Sequence, residues 1–329
     1  MPQDQDQSQC HYVDFDGHRC VETATQHGVC FWHDHKTKKT DPDLKQRLEA
    51  LVKSGHSLAG FKLEGVDLSG AKLVCPGAKS GLNLSDADFY HANLTGAHLF
   101  QANMQRCSLM KADLSHANLN CANLEDANLL GTEFEKTKIE NVQWGKHVIQ
   151  EQKGRKALKA GHPATAMDFF QQSEEVYRNL RKVAEYRGLF EQAGTFFHHE
   201  MTMRRFRMPA LSINRLISKL VDIFCGYGEK PINVILFSLL LIFVCAMIYF
   251  FMGIMGSNGE IIFQSTHSWM SNLTSFLYCI YFSVVTFTTL GYGDISPIGW
   301  TRMTASTEAF MGSFILALFV VVFVKKMTR

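Results

Sequence analysis

Apolar residues are placed along this chain under three different rules. From Leu84 onward they recur every five residues: Leu84, Phe89, Leu94, Leu99, Met104, Leu109, Leu114, Leu119, Leu124, Leu129, Phe134, Ile139 and Trp144. Two residues before them lies a small slot, filled by Ala87, Ala92, Ala97, Ala102, Ala112, Ala117, Ala122 and Ala127, and by Cys107. Leu58, Leu63, Leu68 and Leu73 keep the same period, with a one-residue slip at Cys75-Pro76-Gly77. Five steps of about 100° scatter positions around an α-helix, and an odd period sends successive side chains to opposite faces of a strand. A chain that turns every five residues fits instead, with Leu and Ala inside and the intervening Asn and Asp outside.

A helical rule governs the middle. Over 164–206, in a connecting segment of 146–207, Phe169, Val176, Leu180 and Val183 take the spacing of one amphipathic face, and Gly188 divides the stretch into a helical pair. That pair resembles a tetratricopeptide-like unit, which implies packing against a neighbouring subunit. Within 208–229, Leu211, Ile213, Leu216, Ile217, Leu220, Ile223 and Phe224 form an apolar stripe, and residues 201–221 hold five bases and no acid. This predicts an interfacial helix with Arg215 and Lys219 toward anionic inner-leaflet lipid; a core helix is the alternative.

The third rule is unbroken apolarity. Residues 232–253 and 302–324 are each long enough to cross a bilayer, the second carrying one acid, Glu308. Basic residues precede the first (Arg204, Arg205, Arg207, Arg215, Lys219, Lys230) and follow the second (Lys325, Lys326, Arg329), and none falls in 254–300. The positive-inside rule then predicts a multi-pass protein of the inner (plasma) membrane with both termini cytoplasmic. Residues 273–287 are apolar but short, which suits a re-entrant pore helix, and they run into Thr288-Thr289-Leu290-Gly291-Tyr292-Gly293-Asp294.

That string resembles the potassium-channel signature, and its setting between two spans makes residues 230–329 similar to the two-span potassium-channel pore domain, with Leu290 where Val is usual. A dehydrating K⁺ exchanges water for carbonyl oxygens, and a strand whose carbonyls all face one way needs the backbone freedom that Gly291 and Gly293 provide. The resemblance implies K⁺ sites on Thr289, Leu290, Gly291 and Tyr292 of a filter at 288–293, support from Thr288, Gly293 and Asp294, and the Tyr292 ring packed behind. One chain supplies one strand, so a homotetramer is expected. Steep voltage gating is not expected, because no span repeats Arg or Lys every third residue. Glu308 could be a functional intramembrane acid, or, near a helix end, could equally be packed behind the filter or hydrated, and Gly312 is a candidate bending point.

The five-residue pattern, A(D/N)LXX, resembles the pentapeptide-repeat family over 56–145, which implies a right-handed quadrilateral β-helix of bacterial type. Ten Asp and Glu against seven Lys and Arg in that stretch give a net charge of −3. This is too weak a field to imitate duplex DNA, and a spacer or docking surface is the expected use.

Composition adds less. Net charge is +2 and mean hydropathy −0.06 over 329 residues, so the apolar excess is local and no nucleic-acid partner is expected. Nine Cys without a disulfide-scaffold spacing, behind a polar start, suggest a reducing cytosolic N-terminal part. In residues 1–40, Cys10, Cys20, Cys30 and His33 (or His35) could form a structural Zn²⁺ site, with free thiols the alternative. No catalytic constellation points to an enzyme. Only a few residues follow the second span, so the N-terminal half is expected to modulate the pore. The expected whole is a multidomain membrane protein: a tetrameric α-helical K⁺ channel joined to a cytosolic β-helix by connecting helices. The rival is a membrane-anchored scaffold.

Overall fold

The computed structural model describes residues 9–15, 17–25, 27–74, 81–257, 259–266 and 268–327. The slip at Cys75-Pro76-Gly77 and the base Arg329 lie outside them. The chain divides into two compact units, Met1–Ala210 and Leu211–Arg329.

In the first unit, single parallel bridges join residues twenty apart, from Asn83↔Asn103 to Asn123↔Gln143, so four five-residue units make one coil. Before the slip the step is longer, as in Lys62↔Asp88. The five-residue apolar positions from Leu84 to Ile139 are buried, as are the Ala slots. Trp144 is only half-buried. The small slot also holds polar side chains, of which periodicity picked out Cys107 but not Thr132 or Thr137. Cys107 Sγ, Thr132 Oγ1 and Thr137 Oγ1 donate to the carbonyls of Leu84, Leu109 and Leu114, each at 2.8 Å, so these buried groups are satisfied by backbone.

The Asn and Asp of the pattern do more than face outward. Oδ1 of Asn83, Asp88, Asn93, Asn103, Asp113, Asn118, Asn123 and Asn128 each accepts the backbone N–H two residues on. These Asx turns shape each corner. The corner residue itself takes a left-handed φ, near +60°, at Asp86, His91, Gln101, Arg106, Lys111, His116, Cys121 and Asp126. Each costs about 1–2 kcal/mol, which the coil-to-coil backbone hydrogen bonds offset.

Helices close the unit. α1 (Leu44–Lys53) buries Leu44, Leu48 and Val52 against the first coils; α2 (Ile149–Lys159), α3 (Pro163–Tyr186) and α4 (Phe190–Arg207) share the core at the other end. The predicted pair is thus preceded by a third helix, and the break lies at Gly188, φ +72°. On α3 the buried aromatics are Phe170 and Tyr177; Phe169 is half-buried. Glu174 and Glu200 are buried between α3 and α4. Arg207 and Arg204 reach Glu174 at 2.7 and 3.1 Å, and Arg178 and Arg181 reach Glu200 at 3.2 and 2.9 Å. Two arginines counted as membrane-flanking charge therefore serve in ion pairs within this unit.

In the second unit α5 (Ile213–Cys225) leads through a 3-10 turn (Gly226–Gly228) to α6 (Pro231–Met252), and α7 (Trp269–Phe287) and α8 (Thr301–Met327) follow. α7 starts four residues before the expected Leu273, because the Asn272 side chain bonds both N–H and C=O of Gln264 and fixes the first turn. β1 (Ile254–Gly256) pairs antiparallel with β2 (Gly259–Ile261) and with β3 (Ser296–Pro297). By length and composition α6, α7 and α8 could each cross a membrane. α7 packs along α6: Phe276 lies on Phe243 and Phe250, and Ser283 Oγ donates to the carbonyl of Ile242, halfway along α6. The chain then returns to β3, which pairs with β1 just after the end of α6.

Candidate functional site

The last turn of α7 delivers the signature segment. Thr288 Oγ1 donates to the Val284 carbonyl at 2.7 Å and Leu290 N–H to that of Val285 at 3.0 Å. Beyond this anchor φ is left-handed at alternate residues: Thr289 (+58°), Gly291 (+57°) and Gly293 (+79°). No atom lies within 4 Å of where a Cβ on Gly291 or Gly293 would stand. Glycine is therefore required there by backbone conformation rather than by crowding. Thr289 takes a similar φ despite its branched side chain, a feature the sequence did not show. Residues 289–294 are all exposed in one protomer, with Leu290 at 59% and Tyr292 at 68%. Asp294 is held by Tyr281, whose Oη donates to Oδ2 at 3.0 Å. The Tyr292 ring, expected to pack behind the segment, is exposed among the described residues.

Glu308 is buried, 1% exposed, at the meeting of three helices. Tyr249 Oη of α6 donates to Oε2 at 2.6 Å, and Ser283 Oγ of α7 hydrogen-bonds Oε1. This acid is packed between α6 and α7 and is not exposed to water, and Tyr249 and Ser283 are partners that sequence reasoning missed because they lie 59 and 25 residues away. Gly312 also has a definite role: a Cβ there would stand 2.1 Å from the Phe287 carbonyl, so its small size lets α8 approach the end of α7.

Near the C-terminal end of α8, Lys325 Nζ binds Glu229 Oε1 at 2.6 Å, and Phe224 packs edge-on against Phe237 at 4.7 Å. The α5–α6 elbow and the end of α8 are tied together.

In the first unit Cys10, Cys20, Cys30 and His33 converge, their ligand atoms all within 4.8 Å of one another. Cys30 Sγ and Cys10 Sγ stand 3.1 and 3.5 Å from His33 Nδ1, and Cys20 Sγ is 3.9 Å from Cys30 Sγ. Sulfur and nitrogen at zinc distances from a tetrahedral ion lie about 3.5–3.8 Å apart, so the donors fit. His33 Nε2 bonds the Ala59 carbonyl at 2.9 Å, which places the ring proton there and leaves Nδ1 as a donor. Burial pushes the Cys30 thiol up to about 12 and the His33 imidazole down. His35 is exposed and outside the cluster.

Helices long and apolar enough to cross a membrane, with the signature loop between two of them, suit an ion channel. The ion-channel family model matches residues 236–329, and the pentapeptide-repeat model, in 8 copies, matches 80–106 and 107–142. The chain is a fusion of these two domains. Among solved structures it is similar to HetL, a pentapeptide repeat protein involved in heterocyst differentiation regulation from Nostoc, at 34% identity over 25% of this chain and 38% of HetL, TM-score 0.15. A second Nostoc pentapeptide repeat protein shares 25% identity over 30% of this chain and 94% of its own, TM-score 0.20. One from the Arabidopsis thaliana thylakoid lumen shares 32% over 25% and 59%, TM-score 0.11. No curated protein matches the chain.

Proposed function

We propose that the chain forms a homotetrameric, K⁺-selective channel that conducts passively in the inner (plasma) membrane, without enzymatic turnover. The observation that carries this is the alternation of left-handed φ at Thr289, Gly291 and Gly293 in a segment wholly exposed in one protomer. A strand so disposed turns its carbonyls to one side, and four strands around an axis give an ion oxygens on all sides. Thr289, Leu290, Gly291 and Tyr292 supply the K⁺ sites; Thr288 anchors them to α7, Gly293 allows the turn out, and Asp294 is braced by Tyr281.

The first unit is a right-handed quadrilateral β-helix on the cytosolic side, a form supported by its twenty-residue coil of four units. A structural Zn²⁺ on Cys10, Cys20, Cys30 and His33 holds its first residues in place. The exposed apolar face of α5, including Ile213, Leu216 and Leu220, lies on the inner leaflet with Arg215 and Lys219 toward anionic lipid. The unit modulates the pore through this helix, since the α5–α6 elbow is bonded to the end of α8 at Lys325. Both termini are cytoplasmic in this reading.

Purified protein in liposomes should release K⁺ and stop when Ba²⁺ is added. K⁺-loaded vesicles that stay sealed would leave the membrane-anchored scaffold as the reading.

A further inference from the structure

A second group of metal-ligating side chains lies in the first unit, away from the cysteines. His147, just before α2, Glu151 on α2 and His199 on α4 present one ligand atom each, all within 4.8 Å of one another. His147 Nδ1 is 3.2 Å from Glu151 Oε1, and His199 Nδ1 is 3.6 Å from Oε2. Nitrogen and oxygen donors about 2.0–2.1 Å from a tetrahedral ion stand about 3.3 Å apart, which these distances bracket. We propose that His147, Glu151 and His199 form a binding site for a divalent transition-metal ion of the zinc class, clamping α2 to α4.

Four further observations support this. Glu151 is fully buried, and besides the two histidines its carboxylate is held by Tyr177, whose Oη donates to Oε2 at 2.6 Å, and by Arg155, whose Nη2 donates to Oε1 at 2.7 Å. Such partners commonly position a ligating carboxylate from behind. His147 Nδ1 is buried and, although 3.2 Å from Glu151 Oε1, makes no hydrogen bond of regular geometry, so it is placed to serve a shared ion instead. Tyr177 stacks on His199 at 4.8 Å between centroids, which fixes that ring. A cavity of about 50 Å³ lined by Asp126, His147, Tyr177 and His199 leaves room for a water as a further ligand. The Arg155 charge opposes a cation, but its side chain is 44% exposed and screened by water, and Asp126 offsets it from the cavity wall. Two imidazoles and one carboxylate favour Zn²⁺, Co²⁺ or Ni²⁺ over Ca²⁺ and Mg²⁺.

The test uses the full-length protein, freed of metal by chelator and titrated with Co²⁺. It should take up about two equivalents, one with intense thiolate-to-cobalt charge-transfer bands from the cysteine cluster and one with weak visible bands only. Cys30→Ser should remove the first. His199→Gln, which keeps the bulk of the side chain, should weaken the second by about 100-fold or more and leave the first. Uptake by the unmodified protein with thiolate bands alone overturns the proposal and needs no variant to do so. Retention of the weak-band equivalent in His199→Gln overturns it too. Loss of the thiolate bands with the weak bands kept counts against the cysteine site and leaves this one standing.

Discussion

The β-helix and the pore unit place side chains by opposite logics. In the β-helix the apolar positions from Leu84 to Ile139 are all buried within one chain, and the polar members of the small slot find carbonyls in the neighbouring coil. In α6 only Val234, Cys245, Ala246 and Tyr249 of 22 residues are buried, and α8 buries one stripe at Thr301, Ala305, Glu308, Gly312, Ile315 and Val322. One unit finishes its core alone. The other leaves most of its apolar surface uncovered within one chain, as a helix suited to lipid can. Backbone strain divides in the same way. The β-helix holds left-handed φ at many ordinary residues because a ladder fixes each coil, whereas the signature segment has no ladder and uses glycine at two of its three such positions.

The largest test of this contrast is Gly291→Ala. It opposes the required φ without touching any packed helix, so K⁺ selectivity in bilayer recordings should be lost while oligomeric assembly persists. Deleting residues 1–145 should leave a K⁺-selective pore with a changed open probability; unchanged single-channel open probability across lipid compositions would show that the β-helix does not modulate it. A paired truncation then compares cores. Leu114→Ala, at 0% exposure inside a coil, should destabilise the first unit by about 2–5 kcal/mol. Leu240→Ala, at 59% exposure on α6, should change stability by about 0.5 kcal/mol or less. Hydrogen exchange on the full chain in detergent resolves the two.

Acid gives the smallest and most local effect. Burial raises the Glu151 carboxyl, but the bonds from His199, Tyr177 and Arg155 prevail and hold it down to about 2; burial likewise opposes Arg207 and Arg204 at Glu174, which is also lowered. Groups depressed in the folded state stabilise it fully above their unfolded value of about 4.3 and lose that contribution as pH falls through the folded one. Exchange protection of α2–α4 should therefore hold at neutral pH and decline from about pH 4 toward 2, with the coils less affected.

How far the sequence could be followed differs between the units for the same reason. A period of five is a local signal, so the coils, Cys107 in the small slot and the Gly188 break were all legible. The Cys10, Cys20, Cys30 and His33 set was legible as donor chemistry, although the choice of His33 over His35 needed the structure, which puts His33 Nδ1 beside the thiols and leaves His35 exposed. The spans and the TTLGYGD string were legible as runs and motif. What escaped was assembled across distance: Tyr249 and Ser283 on Glu308, Tyr281 on Asp294, and the His147–Glu151–His199 group that joins two helices. The start of α7 escaped because polar Asn272 sets it, four residues before the apolar run. α1 escaped because Leu44, Leu48 and Val52 are too few to outweigh the charges between them.

The central claim is that the alternating backbone from Thr289 to Gly293 selects K⁺. The reversal potential of the full-length protein in a planar bilayer, with KCl on one side and NaCl at equal concentration on the other, tests it most directly. A large displacement in the direction set by K⁺ flow, abolished together with the current by Ba²⁺, is the predicted result. A reversal potential at zero, with Na⁺ carrying as much current as K⁺, would contradict it.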